Sequence, residues 1–311
     1  MAPRPDSDRP QPTLRRALAA ATERLIEAGC ETAALDARLL LQAACGLGHE
    51  ALIMRMEEPL PPTAADRLEA MVARRARREP IAYILGYRHF WKQRIRCDRR
   101  ALIPRPETEL LIEALLARLP ERQAPLHLCD MATGSGCLAV AMAMEYPHAT
   151  VHGCDLSKEA LELAGENITA YDLQARVSLH HGDLFAALPP ATPPFDAILC
   201  NPPYVARDEL AALAPELAYE PRMALTDEKD GASILRRLLH EAPRWLRPGG
   251  WLIVETGACG LPKPSPDASL RLDERIFDLA GLLRGGVWRR VEQEERPVQP
   301  SAGAALLPPD A

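Results

Sequence analysis

The sequence predicts an α/β fold: a Rossmann-like parallel sheet, preceded by a small N-terminal helical bundle and joined to it by a β-hairpin. Three observations carry this. Before about residue 80, apolar residues recur at helical spacing. From about residue 125, short apolar runs alternate with helical segments. The first of those runs leads into a glycine-rich turn, Ala132-Thr133-Gly134-Ser135-Gly136. Alternation of this kind builds a parallel sheet covered by helices on both faces, with ligands at the carboxyl ends of the strands.

Residues 1–13 are rich in Pro, Asp and Arg, bury little surface and read as a disordered lead-in. Residues 14–79 form a helical domain. Leu14, Ala17, Leu18, Ala21 and Leu25 share one helical face, and Gly29 stops that helix. A second helix follows over 36–44 and a short third over 51–56. Pro61 and Pro62 interrupt the pattern, and a fourth helix runs from Thr63 to about Arg78. Arg74, Arg75, Arg77 and Arg78 read as a solvated helix face. Over 80–103 the character changes. Pro80 ends the helix, and Tyr83, Ile84, Phe90, Trp91 and Ile95 suggest extended segments of a linking hairpin. The remaining domain, 104–311, opens with a loop over 104–108 and a helix over 109–119. Strands are then expected over 126–131, 150–155, 176–183, 195–201 and 250–257, and helices over 137–145, 158–171 and 232–246.

Composition narrows the function. Hydrophobic residues make up 47% and charged residues 26%, the balance of an ordinary globular protein. A formal net charge of −6 disfavours a partner gripped through phosphates, so no direct nucleic-acid partner is expected. No apolar run reaches the roughly 18 residues of a membrane span, and the N-terminus lacks a signal-type apolar core. A cytoplasmic monomer is expected. The eight cysteines include no C-x-x-C pair and read as small buried hydrophobes. No metal pattern is present in the sequence; His180 and His181 are adjacent and would point apart on a strand.

Two constellations carry chemistry. The first strand ends in Asp130, and the 132–136 turn feeds a helix N-terminus, where free N–H groups favour an electronegative ligand group. Asp155 closes the second strand, where a carboxylate can accept ribose hydroxyls. The turn lacks the third glycine of a dinucleotide fingerprint and the lysine of a P-loop. That leaves an adenosine-bearing ligand without a pyrophosphate, and S-adenosyl-L-methionine fits. Asp183 and Leu184 follow the third strand, where an adenine would be sandwiched; alone, Asp183 reads as a turn residue.

The second constellation is Asn201-Pro202-Pro203-Tyr204, after the fourth strand. The prolines stiffen the turn and remove competing N–H groups. The Asn201 side-chain oxygen and the Pro202 carbonyl then offer two acceptors to a planar NH₂ group, with Tyr204 as an apolar wall. An amide nitrogen is a poor nucleophile because its lone pair is delocalised, so such a site acts by orientation and by hydrogen bonds that strengthen as the nitrogen becomes positive.

The pairing of that glycine-rich turn with Asn-Pro-Pro-Tyr resembles the methyltransferases that act on adenine, cytosine or glutamine nitrogens. Three further stretches, EPIAYILGYRHFW (79–91), ALIPRPETELLIE (101–113) and EPRMAL…DG (220–231), resemble the glutamine N5-methyltransferases of peptide chain release factors. The resemblance spans roughly residues 14–257. It implies a class I methyltransferase sheet, S-adenosyl-L-methionine as donor, and a release factor as protein partner, docked by the N-terminal helices and modified at the glutamine of a Gly-Gly-Gln loop. By position, Asp130 and Ala132, Thr133, Gly134, Ser135 and Gly136 would hold the methionine part of the donor. Asp155 would hold the ribose, Asp183 and Leu184 would stand at the adenine, and Asn201, Pro202, Pro203 and Tyr204 would hold the glutamine. Phe90, Trp91, Pro104 and Arg105 are placed at the site entrance, with the hairpin core as the competing place for the two aromatics.

The chain departs from that family twice. Its turn starts with Ala132 where glycine is usual, a strain of roughly 1 kcal/mol if that position has φ above zero. After Gly257, where a helix and two strands are implied, the residues read as a helix over 269–283 and one strand over 287–293, leaving the sheet edge incomplete or replaced. The tail after Pro297 does not read as a strand. Other readings stay open: a ribosomal-protein glutamine methyltransferase, an adenine-N6 methyltransferase of DNA or RNA, and a non-catalytic protein that binds release factors.

Overall fold

The computed structural model describes residues 11–262 and 269–291. The 1–10 part of the expected lead-in, and the tail from residue 292, lie outside the described residues. Residues 11–13 are ordered, contrary to expectation. Thr13 caps the first helix, its hydroxyl accepting from the Arg16 N–H, and it bridges to Pro59.

Helices α1 (Leu14–Glu27), α2 (Ala33–Cys45), α3 (His49–Met54), α4 (Pro62–Ala76) and α5 (Ile81–Leu85) pack around their own core, which includes Leu14, Leu25, Leu40, Leu41, Leu52 and Val72. Helix α5 corrects the sequence reading. Tyr83 and Ile84 are helical, and Gly86, at φ 79°, ends the turn before the hairpin begins. The arginine run is a second correction. Arg75 is buried and bonded to Asp36 at 2.7 Å, Arg74 forks onto Glu79, and Arg78 pairs with Glu216. Those three guanidiniums are held by acidic partners, whereas Arg77 is exposed as expected.

The hairpin is β1 (Tyr87–Phe90) and β2 (Gln93–Arg96), closed by the two-residue turn Trp91-Lys92. After a single 3-10 turn at Pro106–Thr108 come α6 (Glu109–Arg118), β3 (His127–Met131), α7 (Cys137–Glu145), β4 (Thr150–Asp155), α8 (Lys158–Ala170), β5 (Val177–His181) and β6 (Phe195–Cys200). A short α9 (Arg222–Leu225), α10 (Ser233–Glu241), β7 (Leu246–Glu255), β8 (Leu270–Phe277) and β9 (Leu283–Arg290) follow among the described residues. The sheet runs β5-β4-β3-β6-β7-β9-β8. Its first five strands are parallel, and β9 runs antiparallel to both of its neighbours, β7 and β8. Its two faces bury separate cores. Leu128, Ala197, Leu199 and Ile253 face one side; Cys129, Ile198, Leu252 and Val254 face the other.

Strand β8 overturns the expected helix over 269–283, and the sheet edge is not cut short. The cause is a bulge. Leu272 pairs with Trp288 and Glu274 with Val287, so Asp273 is an extra residue. Leu270 and Leu272 pack on one face with Trp288, and Ile276 on the other with Val287. A strand whose apolar residues change face at a bulge loses the period-2 signature.

Candidate active site

The carboxyl edge of the parallel strands carries an open cleft of about 1030 Å³, open solvent at its mouth included, where ligands of such sheets bind. At its centre the 132–136 turn bends through three positive φ values: Ala132 at 58°, Gly134 at 55° and Gly136 at 77°. At Gly136 a Cβ would also approach within 3.1 Å of Ala164 on α8. The turn is tied down from beneath. Asp130 Oδ2 accepts from the Thr133 hydroxyl at 2.5 Å and from the Ala139 N–H, in the first turn of α7, at 3.0 Å. The Thr133 N–H donates to the Cys154 carbonyl, and the Asn167 amide donates to Ser135 O. Asp130 is wholly buried, and burial pushes its carboxyl up to about 7. Its Oδ1 has no hydrogen-bond partner.

Asp155 ends β4 at the cleft. Its Oδ2 accepts from the Gly134 N–H at 2.8 Å and its Oδ1 from the Ser157 N–H at 2.9 Å. Burial raises its pKa while these backbone donors pull it down. Each carboxylate oxygen keeps lone-pair capacity for a further donor. Leu184, buried and at φ 48°, supplies an apolar wall. Asp183 borders the cleft with its carboxylate turned to Arg237 at 3.0 Å.

Asn201 stands at the cleft with Pro203. Its Nδ2 donates to Thr108 Oγ1 at 2.9 Å, and the Thr108 hydroxyl donates to Glu255 Oε2 at 2.6 Å. Tyr204 donates its phenol proton to Glu255 Oε1 at 2.9 Å. Glu255, at the end of β7, is 1% exposed, and burial pushes its carboxyl up to about 7. Tyr204 is thus no wall of the cleft. Its ring lies against Gly257, where a Cβ would come within 2.6 Å of it. Asp130, Gly136 and Pro202 also stand behind the lining, and Ala132, Thr133, Gly134, Ser135, Asp155, Asp183, Leu184, Asn201 and Pro203 form part of it.

Of the four residues placed at the entrance, Pro104 lines the cleft. Arg105 pairs with buried Glu220 at 2.6 Å. Phe90 is core, 1% exposed, and Trp91 packs beside it with its indole N–H on Glu145. Among the described residues no His, Cys, Asp and Glu cluster could hold a metal ion. No described helix is long and apolar enough to cross a membrane.

Residues 16–86 match the family model described as PrmC N-terminal domain, and residues 106–228 match the Methyltransferase small domain. A release factor glutamine methyltransferase of Cereibacter sphaeroides is 42% identical over 290 residues, 93% of this chain and 98% of that protein. The chain belongs to the release factor glutamine methyltransferase family. A second member, from Geobacter sulfurreducens, is 42% identical over 79% of this chain and 84% of its own. Among solved structures, the hMettl16 catalytic domain in complex with MAT2A 3'UTR hairpin 6 superposes with a TM-score of 0.50 at 14% identity. The match covers 72% of this chain and 83% of that one, a likeness of fold alone.

Within this methyltransferase, Thr108 and Glu255 are two residues bonded into the site that sequence reading passed over. Glu255 had a usable signal. It is a carboxylate closing the apolar run Trp251–Val254, at the same sheet edge as Asp130 and Asp155. Thr108 had none of its own, since it lies 93 positions from Asn201 and only the fold brings the two together.

Proposed function

We propose that this protein transfers a methyl group from S-adenosyl-L-methionine to the side-chain amide nitrogen (N5) of the glutamine in the Gly-Gly-Gln motif of peptide chain release factors, in the cytoplasm. One observation carries the reading. Asn201 stands at the cleft with Nδ2 committed to Thr108, so Oδ1 is the end left to receive an N–H from a substrate amide.

The residues lining the cleft and directly behind it suit the donor. Asp130 has a buried carboxylate oxygen without a partner, Asp155 keeps acceptor capacity for ribose hydroxyls, and Leu184 offers an apolar surface for a base. When bound, S-adenosyl-L-methionine supplies a methyl group on positively charged sulfur. Asp130 and the 132–136 turn would hold its methionine part, Asp155 its ribose, and Asp183 and Leu184 would stand at its adenine. Asn201 Oδ1, at the cleft, and the Pro202 carbonyl, on the residue just behind its lining, would accept the two amide hydrogens of the substrate and hold the nitrogen toward the cleft. Both acceptors bind more strongly as that nitrogen gains positive charge. No strong base is required beforehand, because the proton can leave after the methyl arrives. Pro203 and Tyr204 stiffen the turn that carries these acceptors, and helices α1–α5 would dock the release factor.

The test is methyl transfer from labelled donor to a release factor whose motif glutamine is intact or changed to alanine, with ribosomal protein and DNA in parallel. Label on the intact release factor alone, reduced by about 100-fold or more in Asn201→Ala, is the expected result. Label on ribosomal protein or DNA moves the substrate to that class. No label on any of them, from a folded protein, leaves a release-factor binding protein.

A further inference from the structure

Asn201 can serve as an acceptor only if its carboxamide faces the right way, and nothing within the Asn-Pro-Pro-Tyr turn decides that. The two ends of a carboxamide are nearly the same shape, so its orientation follows from the hydrogen bonds around it. The neighbour of Asn201 is Thr108, and a threonine hydroxyl has one proton to give. That proton is committed to Glu255 Oε2 at 2.6 Å, a short bond to a carboxylate. Thr108 Oγ1 therefore meets Asn201 as an acceptor, and the Nδ2 end is the one that can face it. The second Glu255 oxygen is taken by Tyr204 at 2.9 Å, so Glu255 holds both ends of the turn.

We infer that Thr108 and Glu255 are positioning residues that fix the Asn201 carboxamide with its oxygen toward the substrate, through the chain of bonds Glu255–Thr108–Asn201. The inference deepens the reading of the site as an amide methyltransferase and rests on it for its catalytic consequence. The orientation itself is a property of the protein alone.

Protonation of Glu255 weakens the order. A protonated carboxyl has an O–H to donate, and pointed at Thr108 it releases the hydroxyl proton to face Asn201, whose oxygen can then turn inward. The amide would present N–H groups to the N–H groups of its substrate. The charged and titratable groups around Glu255 are Glu107, which raises its pKa, Arg284 on β9, which lowers it, Tyr204, and the neighbouring Cys200 thiol on β6. Burial outweighs them and pushes the carboxyl up to about 7. The ordered arrangement is thus complete above that pH and lost below it.

The experiment combines spectra of the free protein with rates of the full-length enzyme. In protein labelled at asparagine nitrogen, the Asn201 side-chain signals, assigned by their loss in Asn201→Ala, are followed from pH 5.5 to 8.5. They are expected to shift with a midpoint near 7, and the shift is expected to vanish in Glu255→Gln and in Thr108→Val. Methyl transfer to the release factor is expected to fall below the same midpoint. The rate at pH 8 should drop by about 10- to 100-fold in Thr108→Val. Thr108→Ser should recover most of the rate and the acid limb, which a merely structural contact would not return together. Cooperative urea unfolding, retained in all three variants, reports that they fold. Asn201 signals indifferent to pH and to both substitutions overturn the inference, whatever the enzyme methylates. Signals that behave as expected without methyl transfer overturn the functional reading and leave the positioning intact.

Discussion

Ala132 stands where the resemblance implied glycine, and its backbone conformation carries strain. At φ 58° its Cβ sits in the left-handed region, at a cost of roughly 1–2 kcal/mol, partly offset because alanine loses less freedom on folding than glycine. Ala132→Gly is expected to stabilise the protein by up to about 1 kcal/mol, read from the midpoint of urea unfolding at unchanged slope. An unchanged or lower midpoint would mean that the turn relaxes around alanine at no cost. A second residue-scale prediction concerns Asp130. Burial holds its carboxyl at about 7, above its ordinary 3.8. A carboxyl raised on folding contributes stability that is complete below its unfolded value and lost as pH rises through the folded one. The relevant window is therefore about pH 4 to 7. His152, which burial pushes down to about 4, acts in the opposite sense over part of that window, so the comparison must be made between variants. Asp130→Asn is expected to gain stability relative to the parent as pH rises from 5 to 8, with its amide oxygen still able to accept from Thr133 and Ala139. A constant difference across that range would place the titration elsewhere.

At the scale of elements, the parallel core was legible because its central strands are largely apolar and buried and end at informative residues. All six residues of β6 are buried, and Asp130, Asp155 and Asn201 mark the ends of three strands in the sequence itself. The antiparallel edge was not legible, because the bulge at Asp273 divides the apolar residues of β8 between two faces. Helix α5 was missed for a different reason. It is a five-residue turn, too short to show a helical period. The edge strands are nonetheless integral to the fold. Trp288 on β9 is fully buried and packs with Leu270 against the core of one sheet face. Trp288→Ala is expected to cost about 3–5 kcal/mol of global stability, measured by urea unfolding. A loss below about 1 kcal/mol would show that β8 and β9 are an appendage which unfolds without the sheet. The site was legible in the same uneven way. Contiguous motifs announced the cleft, while Thr108 and Glu255 act on Asn201 only through contacts between distant segments.

For the molecule as a whole, one carboxylate joins the helical domain to the segment that follows the Asn-Pro-Pro-Tyr turn. Glu216, in the 3-10 turn Pro215–Tyr219, accepts from Arg75 in the last turn of α4 at 3.0 Å and from Arg78, just past its end, at 2.7 Å. Nearby, Glu220 accepts from Arg105 and from the Ile103 N–H, and the Tyr219 phenol donates to the Arg77 carbonyl. The segment over 215–220 is thereby latched to the surface that would receive a release factor, a few residues from Pro221 and Met223 at the cleft. Arg75 keeps Asp36 when Glu216 is lost, so Glu216→Ala does not strand a buried guanidinium. The cost to stability is therefore expected to be only about 1–2 kcal/mol, below that of breaking an isolated buried pair. The larger effect should fall on alignment between the docked partner and the cleft. KM for the release factor is expected to rise by about 10-fold, equivalent to some 1.4 kcal/mol, with donor affinity and the unfolding slope unchanged. A fall in donor affinity of the same size would instead mean that the latch shapes the donor cleft. An unchanged KM would mean that the two parts hold their alignment through the hairpin and its contacts with α8 alone.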